Sequence, residues 1–267
     1  MEIRANGVVV NYEIAGKGKN LILIHGAGDN LNMWYNQVPA FSKNFTVITY
    51  DIRGHGKTEN SETEYSIELF AQDLYELTRA MKVESAYILG YSIGGRIALN
   101  LAIEHPEIVK ALILSNSPVW GIIPPSPEAI ERRQTWLDLL EKRDTKSVAE
   151  MMITNAFSPG FKERDPAVFG NYKNIKLQMK PDCFEQVIRA IGKISAPPNL
   201  TKLKCPVLII VGEYDAIAGV DQGKLTQKAM AGSKLAIFPT GHASPIELPD
   251  RFNSVVINFL SGLRINW

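Results

Sequence analysis

The amino-acid sequence predicts an α/β protein built around a mostly parallel β-sheet. Three observations lead to this prediction. Six apolar runs of four to six residues recur along the chain, and segments with helical periodicity lie between several of them. The runs are also continuous in Ile, Leu and Val, as in strands buried on both faces of a parallel sheet. Alternation of such strands with helices is typical of βαβ units.

The strands are predicted as follows. Residues Glu2–Ile14 alternate weakly between apolar and polar side chains, so we expect an antiparallel hairpin at the edge of the sheet. The six buried strands are Leu21–Ile24, Phe45–Tyr50, Ala86–Leu89, Ala111–Leu114, Val207–Val211 and Leu235–Phe238.

Helical patterns separate these strands. Ser66 is suited to cap a helix at its N-terminus, and an apolar face follows it at helical spacing: Phe70, Leu74, Leu77 and Met81. The same periodicity predicts helices over Ile93–Glu104 and Arg251–Leu260.

Residues 118–199, the cap segment, interrupt this alternation. They contain no strand-like run, and prolines cluster at both ends. Helical patterns occur near Pro127–Lys142, Ser147–Phe157 and Asp182–Ile194. A parallel crossover needs only about a dozen residues, so we expect a helical lid inserted between two strands, with residues 1–117 and 200–267 forming the core. The alternative is a set of ordinary crossover helices.

Composition excludes several classes of function. The 267 residues carry 29 Lys and Arg against 28 Asp and Glu, and this balance offers no general attraction for nucleic acid or an anionic membrane. The longest apolar stretches are strand-sized, whereas a bilayer span needs about 20 residues, and no secretory leader is visible. Cys183 and Cys205 are expected to be buried thiols, with one disulfide between them as the alternative. We therefore expect a cytoplasmic protein with a small-molecule partner.

The sharpest motif is Gly90-Tyr91-Ser92-Ile93-Gly94-Gly95, which directly follows one predicted strand and opens a predicted helix. This is the context of a nucleophile elbow, in which a sharp turn lifts the middle residue clear of the sheet. Glycines suit the neighbouring positions because a Cβ would clash there. Ser92 is therefore the predicted nucleophile.

A serine hydroxyl needs a base that accepts its proton, and that base needs an acid. His242 follows the last predicted strand, at the edge of the sheet where active sites of open α/β sheets form. Asp215 lies just past the preceding predicted strand, with Glu213 and Asp221 as its rivals. The alternative acid position, Ser115-Asn116-Ser117, holds no carboxylate, which narrows the choice to Asp215.

Two glycine-rich loops complete the predicted site. His25-Gly26-Ala27-Gly28 follows the first buried strand, and we assign the amides of Ala27 and Ile93 as the oxyanion hole, with His25 holding the loop. Asp51–Thr58 ends like a phosphate-binding loop, but Asp51 occupies the position that requires glycine. We expect Asp51 to pair with Arg53 and shape the pocket floor. Neither a dinucleotide nor a metal motif occurs, so no cofactor and no metal are expected.

Together these motifs resemble the α/β-hydrolase fold superfamily, in the branch with a lid after the sixth strand. The resemblance covers nearly the whole chain and rests on His25–Gly28, Asp51–Gly56, Gly90–Gly95, Gly212–Asp215 and Gly241-His242. It implies a mostly parallel eight-stranded sheet whose first strands are antiparallel, flanked by helices, with a pocket under the lid. Similar members are carboxylesterases, enol-lactonases, carbon–carbon bond hydrolases and cofactor-free haloperoxidase-like enzymes. The loop from His25 to Asn30 is also similar to that of small receptor-like hydrolases.

Two groups of the superfamily fit less well. Haloalkane dehalogenases and epoxide hydrolases place aspartate at the nucleophile position, which is Ser92 here. Carbon–carbon hydrolases often carry Gly-Pro-Gly in the oxyanion loop, which this chain lacks.

The expected activity is hydrolysis of small to medium carboxylic esters by a monomer or homodimer. Trp120, Trp136 and Met152 of the cap segment are expected to contact the substrate. One alternative is a lactonase or carbon–carbon hydrolase with an anionic substrate, for which Arg132, Arg133 and Arg189 are the candidate contacts. Another is a slow-turnover signalling protein that uses the same fold to bind a ligand.

Overall fold

The computed structural model of the protein describes residues 1–117, 126–193 and 199–263. Within them the expected hairpin and the six apolar runs join into one eight-stranded sheet. The strands are β1 (Glu2–Ala5), β2 (Val8–Ala15), β3 (Lys19–Ile24), β4 (Phe45–Tyr50), β5 (Ala86–Tyr91), β6 (Val109–Ser115), β7 (Val207–Gly212) and β8 (Lys234–Phe238).

The order of strands in the sheet is β1-β2-β4-β3-β5-β6-β7-β8. β1 and β2 are antiparallel, as are β2 and β4, while every later pairing is parallel. The ends of the central strands are in register, because Ile24 pairs with Gly90 and Gly90 with Leu114. The loops that follow β3, β5, β6 and β7 therefore meet at one edge of the sheet.

Helices cover both faces of this sheet. They are α1 (Gln37–Phe41), α2 (Ile67–Ala80), α3 (Ile93–Glu104), α4 (Pro127–Glu141), α5 (Thr145–Thr154), α6 (Phe161–Arg164), α7 (Pro166–Lys176), α8 (Pro181–Gly192), α9 (Val220–Ala229), α10 (Ser244–Glu247) and α11 (Pro249–Ser261). Strand side chains alternate between the faces. Ile22 and Ile88 share a buried cluster with α2 and α3, whereas Leu21 and Leu89 share one with α11 and the cap segment.

The described part of the cap segment holds α4 to α8 and lies between β6 and β7, which pair with each other in the sheet. The helices expected near Pro127–Lys142, Ser147–Phe157 and Asp182–Ile194 correspond to α4, α5 and α8. The sequence did not predict α6 and α7. One reason is that the buried face of α7 includes a lysine, Lys176, which breaks the apolar pattern.

The expected pairing of Asp51 with Arg53 is wrong. The guanidinium of Arg53 instead binds the carboxylate of Asp73 on α2, with Nε 2.7 Å from Oδ2. The Asp51 carboxylate accepts the amides of Leu31 and Lys57, each at 2.8 Å. A loop carboxylate is satisfied by nearby backbone N–H groups, and only the fold brings α2 within reach of the arginine.

The described residues also include both cysteines and helices whose length and apolar character can be judged. Cys183 and Cys205 are free thiols, Cys183 buried and Cys205 half-buried. No helix in residues 1–117, 126–193 or 199–263 is long and apolar enough to cross a bilayer.

Candidate active site

Ser92 occupies a strained turn between β5 and α3. Its backbone angles are φ 54° and ψ −120°, a region that side-chain-bearing residues rarely adopt. The turn is possible because Gly90 and Gly94, two residues before and after Ser92, lack side chains. A Cβ on Gly90 would lie 2.2 Å from the carbonyl oxygen of Gly94, and one on Gly94 would lie 2.4 Å from that of Ile24. Such strain costs about 1–3 kcal/mol and persists where the surrounding packing enforces it.

Three side chains from three loops meet at this turn. Ser92 Oγ lies 3.0 Å from Nε2 of His242, and Nδ1 of the same ring lies 2.8 Å from Oδ2 of Asp215. Because a carboxylate only accepts hydrogen bonds, Nδ1 carries the proton and Nε2 is free to accept one from the serine hydroxyl. The arrangement can therefore withdraw a proton from Ser92.

The surroundings of Asp215 keep its carboxyl ionised. Burial alone would raise its pKa, but the His242 ring and the amides of Ala218 and Ile217 outweigh burial and hold the pKa below its ordinary value. The two amides donate at 2.9 and 2.8 Å. Asn116 Nδ2 also donates to Oδ2, at 3.1 Å. A negative Asp215 stabilises an imidazolium at His242.

Sequence reasoning missed the role of Asn116 because it considered that position only as a site for a carboxylate. The residue stands just past β6, next to the loop that holds Asp215. The position after β6 thus supplies a hydrogen-bond donor to Asp215, the acid that follows β7. The two rival acids considered in the sequence, Glu213 and Asp221, are both exposed.

A second buried carboxylate holds the loop that carries His242. Glu247 Oε2 accepts the amide of Gly241 at 2.9 Å. Oε2 also accepts the amide of Ser158, at 3.1 Å, and Oε1 of the same carboxylate accepts the Ser158 hydroxyl. Ser158 belongs to the cap segment, so the histidine loop and the cap segment are tied through one side chain. No sequence motif marked Glu247.

His25 holds the loop after β3. Its Nδ1 donates to the carbonyl of Gly26 at 2.8 Å, and its Nε2 accepts the amide of Ile52 at 2.9 Å. Burial lowers the pKa of His25 well below its usual value, so the ring is neutral and keeps this tautomer. The C=O and N–H of one peptide point in opposite directions. Holding the Gly26 carbonyl therefore fixes the direction of the Ala27 N–H.

These loops can be compared with known proteins. A family model described as the alpha/beta hydrolase fold matches residues 19–249. The chain belongs to the α/β-hydrolase fold family. At this coarse level it is a hydrolase.

Relatives within the α/β-hydrolase family differ in the reactions their names state. The chain is 27% identical to 3-oxoadipate enol-lactonase 2 of Acinetobacter baylyi, over 95% of this chain and 94% of that protein. It is 29% identical to 2-hydroxymuconate semialdehyde hydrolase of a Pseudomonas species, over 97% and 93%. The solved enol-lactonase of Burkholderia xenovorans superposes with a TM-score of 0.90 at 28% identity, covering 98% of this chain and all of that one.

A cavity of about 640 Å³ opens beside Ser92 and His242. Its size suits a small-molecule ligand. Trp136, Met152 and Ala27 line it. Trp120 lies outside the described residues.

Ile93 is the first residue of α3, so its N–H has no acceptor within the helix.

A buried ion pair that the sequence did not reveal lies in the cavity wall. Nζ of Lys176, on α7, is 2.7 Å from Oδ1 of Asp29 and donates to the carbonyl of Ala27 at 2.9 Å. The side chains are 4% and 0% exposed. The Tyr172 hydroxyl contacts Oδ2 of Asp29 at 3.4 Å. Burial lowers the pKa of Lys176, and the Asp29 charge opposes that shift.

The arginines weighed for an anionic substrate fall into two groups. Arg132 and Arg133 line the cavity, whereas Arg189 pairs with Glu185 at 2.7 Å. For metals, no group of three or more His, Cys, Asp or Glu side chains within the described ranges is placed to hold an ion.

Proposed function

We propose that the protein is a serine hydrolase that cleaves carboxylic esters through an acyl-enzyme intermediate. Ser92 is the nucleophile, His242 the general base and Asp215 the acid that orients it. The hydrogen-bonded series Ser92 Oγ, His242 Nε2 and Nδ1, and Asp215 Oδ2, at 3.0 and 2.8 Å, carries the proposal. Ser92 and His242 line a cavity large enough for a small ester.

The reaction follows from this geometry. Ser92 Oγ attacks the acyl carbon while its proton passes to Nε2 of His242, and the charge of Asp215 stabilises the resulting imidazolium. The amides of Ala27 and Ile93 bind the oxyanion, each contributing about 3 kcal/mol to the transition state. The imidazolium then protonates the departing alkoxide. Water repeats the sequence on the acyl-enzyme and frees the acid.

We also propose that residues 118–199 act as a cap over a core formed by residues 1–117 and 200–267. The insertion of α4 to α8 between the adjacent strands β6 and β7 supports this division. So does the cavity, whose lining includes Trp136 and Met152 from the cap segment and Ser92 and His242 from the core. Trp136 and Met152, with Trp120, would contact the apolar part of the substrate.

A lactone is the second candidate substrate, since it is a cyclic ester and needs the same attack. The similarity to two enol-lactonases supports it. Carbon–carbon bond hydrolysis is supported by the 2-hydroxymuconate semialdehyde hydrolase relative.

Hydrolysis of p-nitrophenyl esters from acetate to palmitate tests the proposal. We expect turnover of short or medium chains, reduced on the order of 10⁶-fold by Ser92→Ala, as in comparable triads. Ser254→Ala, at an exposed serine on α11, is the matched control and should leave the rate unchanged.

Two other results would change the conclusion. Full turnover by Ser92→Ala would contradict the mechanism. Negligible turnover by a folded wild type would favour a lactone, a carbon–carbon substrate or a signalling ligand, the last recognised by ligand-dependent stability without turnover.

A further inference from the structure

We propose that the substrate carries a carboxylate, and that Arg132 and Arg133 bind it at the cap side of the cavity. This inference rests on the proposed ester hydrolysis and names the class of substrate. It starts from the placement of α4. This helix lines the cavity with Arg132, Arg133 and Trp136, and the same cavity is lined by Ser92 and His242.

Among the residues that the structure describes, the two guanidinium groups have no carboxylate partner. Within the described residues no Asp or Glu oxygen lies within 4.0 Å of either group, and neither forms a hydrogen bond. The segments outside those ranges, 118–125, 194–198 and 264–267, contain no Asp or Glu. By contrast, Lys176 in the same cavity is compensated by Asp29.

An uncompensated, half-buried cation is unfavourable, and a bound anion would offset that cost. Arg132 and Arg133 are both half-buried, and burial lowers the pKa of Arg132, opposed by the charge of Asp215. Arginine nevertheless stays charged at any physiological pH. Its planar fork of donors matches a carboxylate better than a single ammonium does.

Each guanidinium group also contacts an uncharged residue, and these contacts leave its N–H donors free. Cζ of Arg132 lies 6.0 Å from the ring centre of Trp136, within the range of a cation–π contact. Cζ of Arg133 packs over Gly192 at the end of α8, where a Cβ would lie only 3.2 Å away. The missing side chain at Gly192 therefore makes room for the guanidinium.

The remaining charge in the cavity wall sets the direction of the substrate. Asp221, on α9, also lines the cavity and pairs with neither arginine. Its charge would repel an anion. A substrate carboxylate is therefore directed towards α4 and away from α9, with the scissile carbonyl left at Ser92.

A pair of esters of equal length tests the inference. In p-nitrophenyl hemiglutarate a carboxylate replaces the terminal methyl of p-nitrophenyl pentanoate. The quantity compared is kcat/KM for the hemiglutarate divided by kcat/KM for the pentanoate. We expect this ratio to fall about 10-fold or more in Arg132→Gln and in Arg133→Gln, the range of a charge-assisted hydrogen bond. The fall should be greater in the double variant. The ratio cancels any general loss of activity.

Arg189→Gln is the matched control, because Arg189 belongs to the cap segment but pairs with Glu185 and does not line the cavity. It should leave the ratio unchanged. If the double variant keeps the wild-type ratio while pentanoate hydrolysis still depends on Ser92, the carboxylate site is wrong and the proposed esterase activity stands.

A binding measurement decides the remaining case, in which the wild type hydrolyses neither ester and the proposed function fails. Thermal unfolding of Ser92→Ala is then followed with glutarate, and again after adding both arginine substitutions. A glutarate-dependent rise in Tm that the arginine substitutions remove supports the carboxylate site. No rise, or the same rise in both proteins, overturns it.

Discussion

The two walls of the cavity are built on different principles. Apart from Asp221 on α9, the core wall consists of groups from the loops after β3, β5 and β7 whose charges and protons are already paired. Asp215 binds His242, and His25 is neutral and hydrogen-bonded on both ring nitrogens. The cap wall on α4 instead presents Arg132 and Arg133 without a carboxylate partner among the described residues.

The core wall is therefore suited to the chemistry and the cap wall to selecting the substrate. A satisfied hydrogen-bond network holds its geometry before the ligand arrives, which suits groups that must act in a transition state. A wall with unpaired charge gains most when a complementary ligand binds. Lys176 joins the two walls, since it comes from the cap segment and binds Asp29 and Ala27 of the core.

Among changes that leave Ser92, His242 and Asp215 in place, breaking that link should give the largest effect. Lys176→Met removes the donor that holds the Ala27 carbonyl and leaves Asp29 as an uncompensated buried charge. Releasing the Ala27 carbonyl frees the backbone torsions of Ala27, so the Ala27 N–H in the adjoining peptide loses part of its fixed direction. We expect kcat to fall about 10- to 100-fold with a smaller change in KM, because that N–H is the proposed oxyanion donor and acts in the transition state. The free energy of unfolding should fall by about 3–5 kcal/mol. Steady-state kinetics and urea unfolding measure the two quantities.

A double variant separates these two losses. Lys176→Met with Asp29→Asn removes both charges, so stability should largely recover while kcat stays low. Lys173→Met on the same helix, where the lysine pairs with an exposed glutamate, is the matched control. Wild-type kcat in the folded double variant would show that the link does not direct the oxyanion loop.

Acid should destabilise the core through its buried histidines. Burial lowers the pKa values of His25 and His55 in the folded protein, whereas the unfolded chain titrates near 6.5. Below that pH the unfolded state binds more protons. The free energy of unfolding therefore falls as pH decreases from 7 to 5, by up to about 1.4 kcal/mol per pH unit for each histidine.

Urea unfolding at several pH values measures this slope. The cap segment contains no histidine, so this contribution of buried histidines to the pH dependence of stability comes from the core. His55→Gln should reduce the slope by up to half. A stability that is flat between pH 7 and 5 would mean that these rings are not held neutral.

The smallest effect is expected at the apolar part of the cap wall. Trp136 is half-buried, and Trp136→Ala should raise KM for medium-chain esters about fivefold, since roughly 1 kcal/mol of apolar contact is lost. We expect kcat to change less. Leu177→Ala, at an exposed apolar residue of the cap segment, is the control. An unchanged KM across the ester series would place the acyl chain elsewhere.

The loops at the edge of the sheet were predictable because steric rules act over a few residues. Gly90 and Gly94 flank Ser92 in the sequence, and their close approach to other backbone follows from the turn itself. Apolar runs likewise indicate buried strands, and the predicted mostly parallel sheet is confirmed. Ser92, Asp215 and His242 could be selected by their position after strands, and the fold brings them within hydrogen-bonding distance.

Contacts between distant segments could not be predicted in the same way. Lys176 and Ala27 are 149 residues apart, and Ser158 and Glu247 are 89 apart. A lysine in an amphipathic helix usually faces solvent, so nothing in the sequence distinguished Lys176 from Lys173. The mistaken pairing of Asp51 with Arg53 has the same origin, since Asp73 approaches only after α2 packs on the sheet.

The strands, the order of the loops and the residue types in each loop can be read from the sequence, because these depend on local sterics and hydrophobic periodicity. Which charges are neutralised and which face the cavity depends on the folded arrangement. Burial and pairing are properties of groups brought together from different parts of the chain. That is why Lys176 is bound to Asp29 in the core while Arg132 and Arg133 face the cavity beside Ser92.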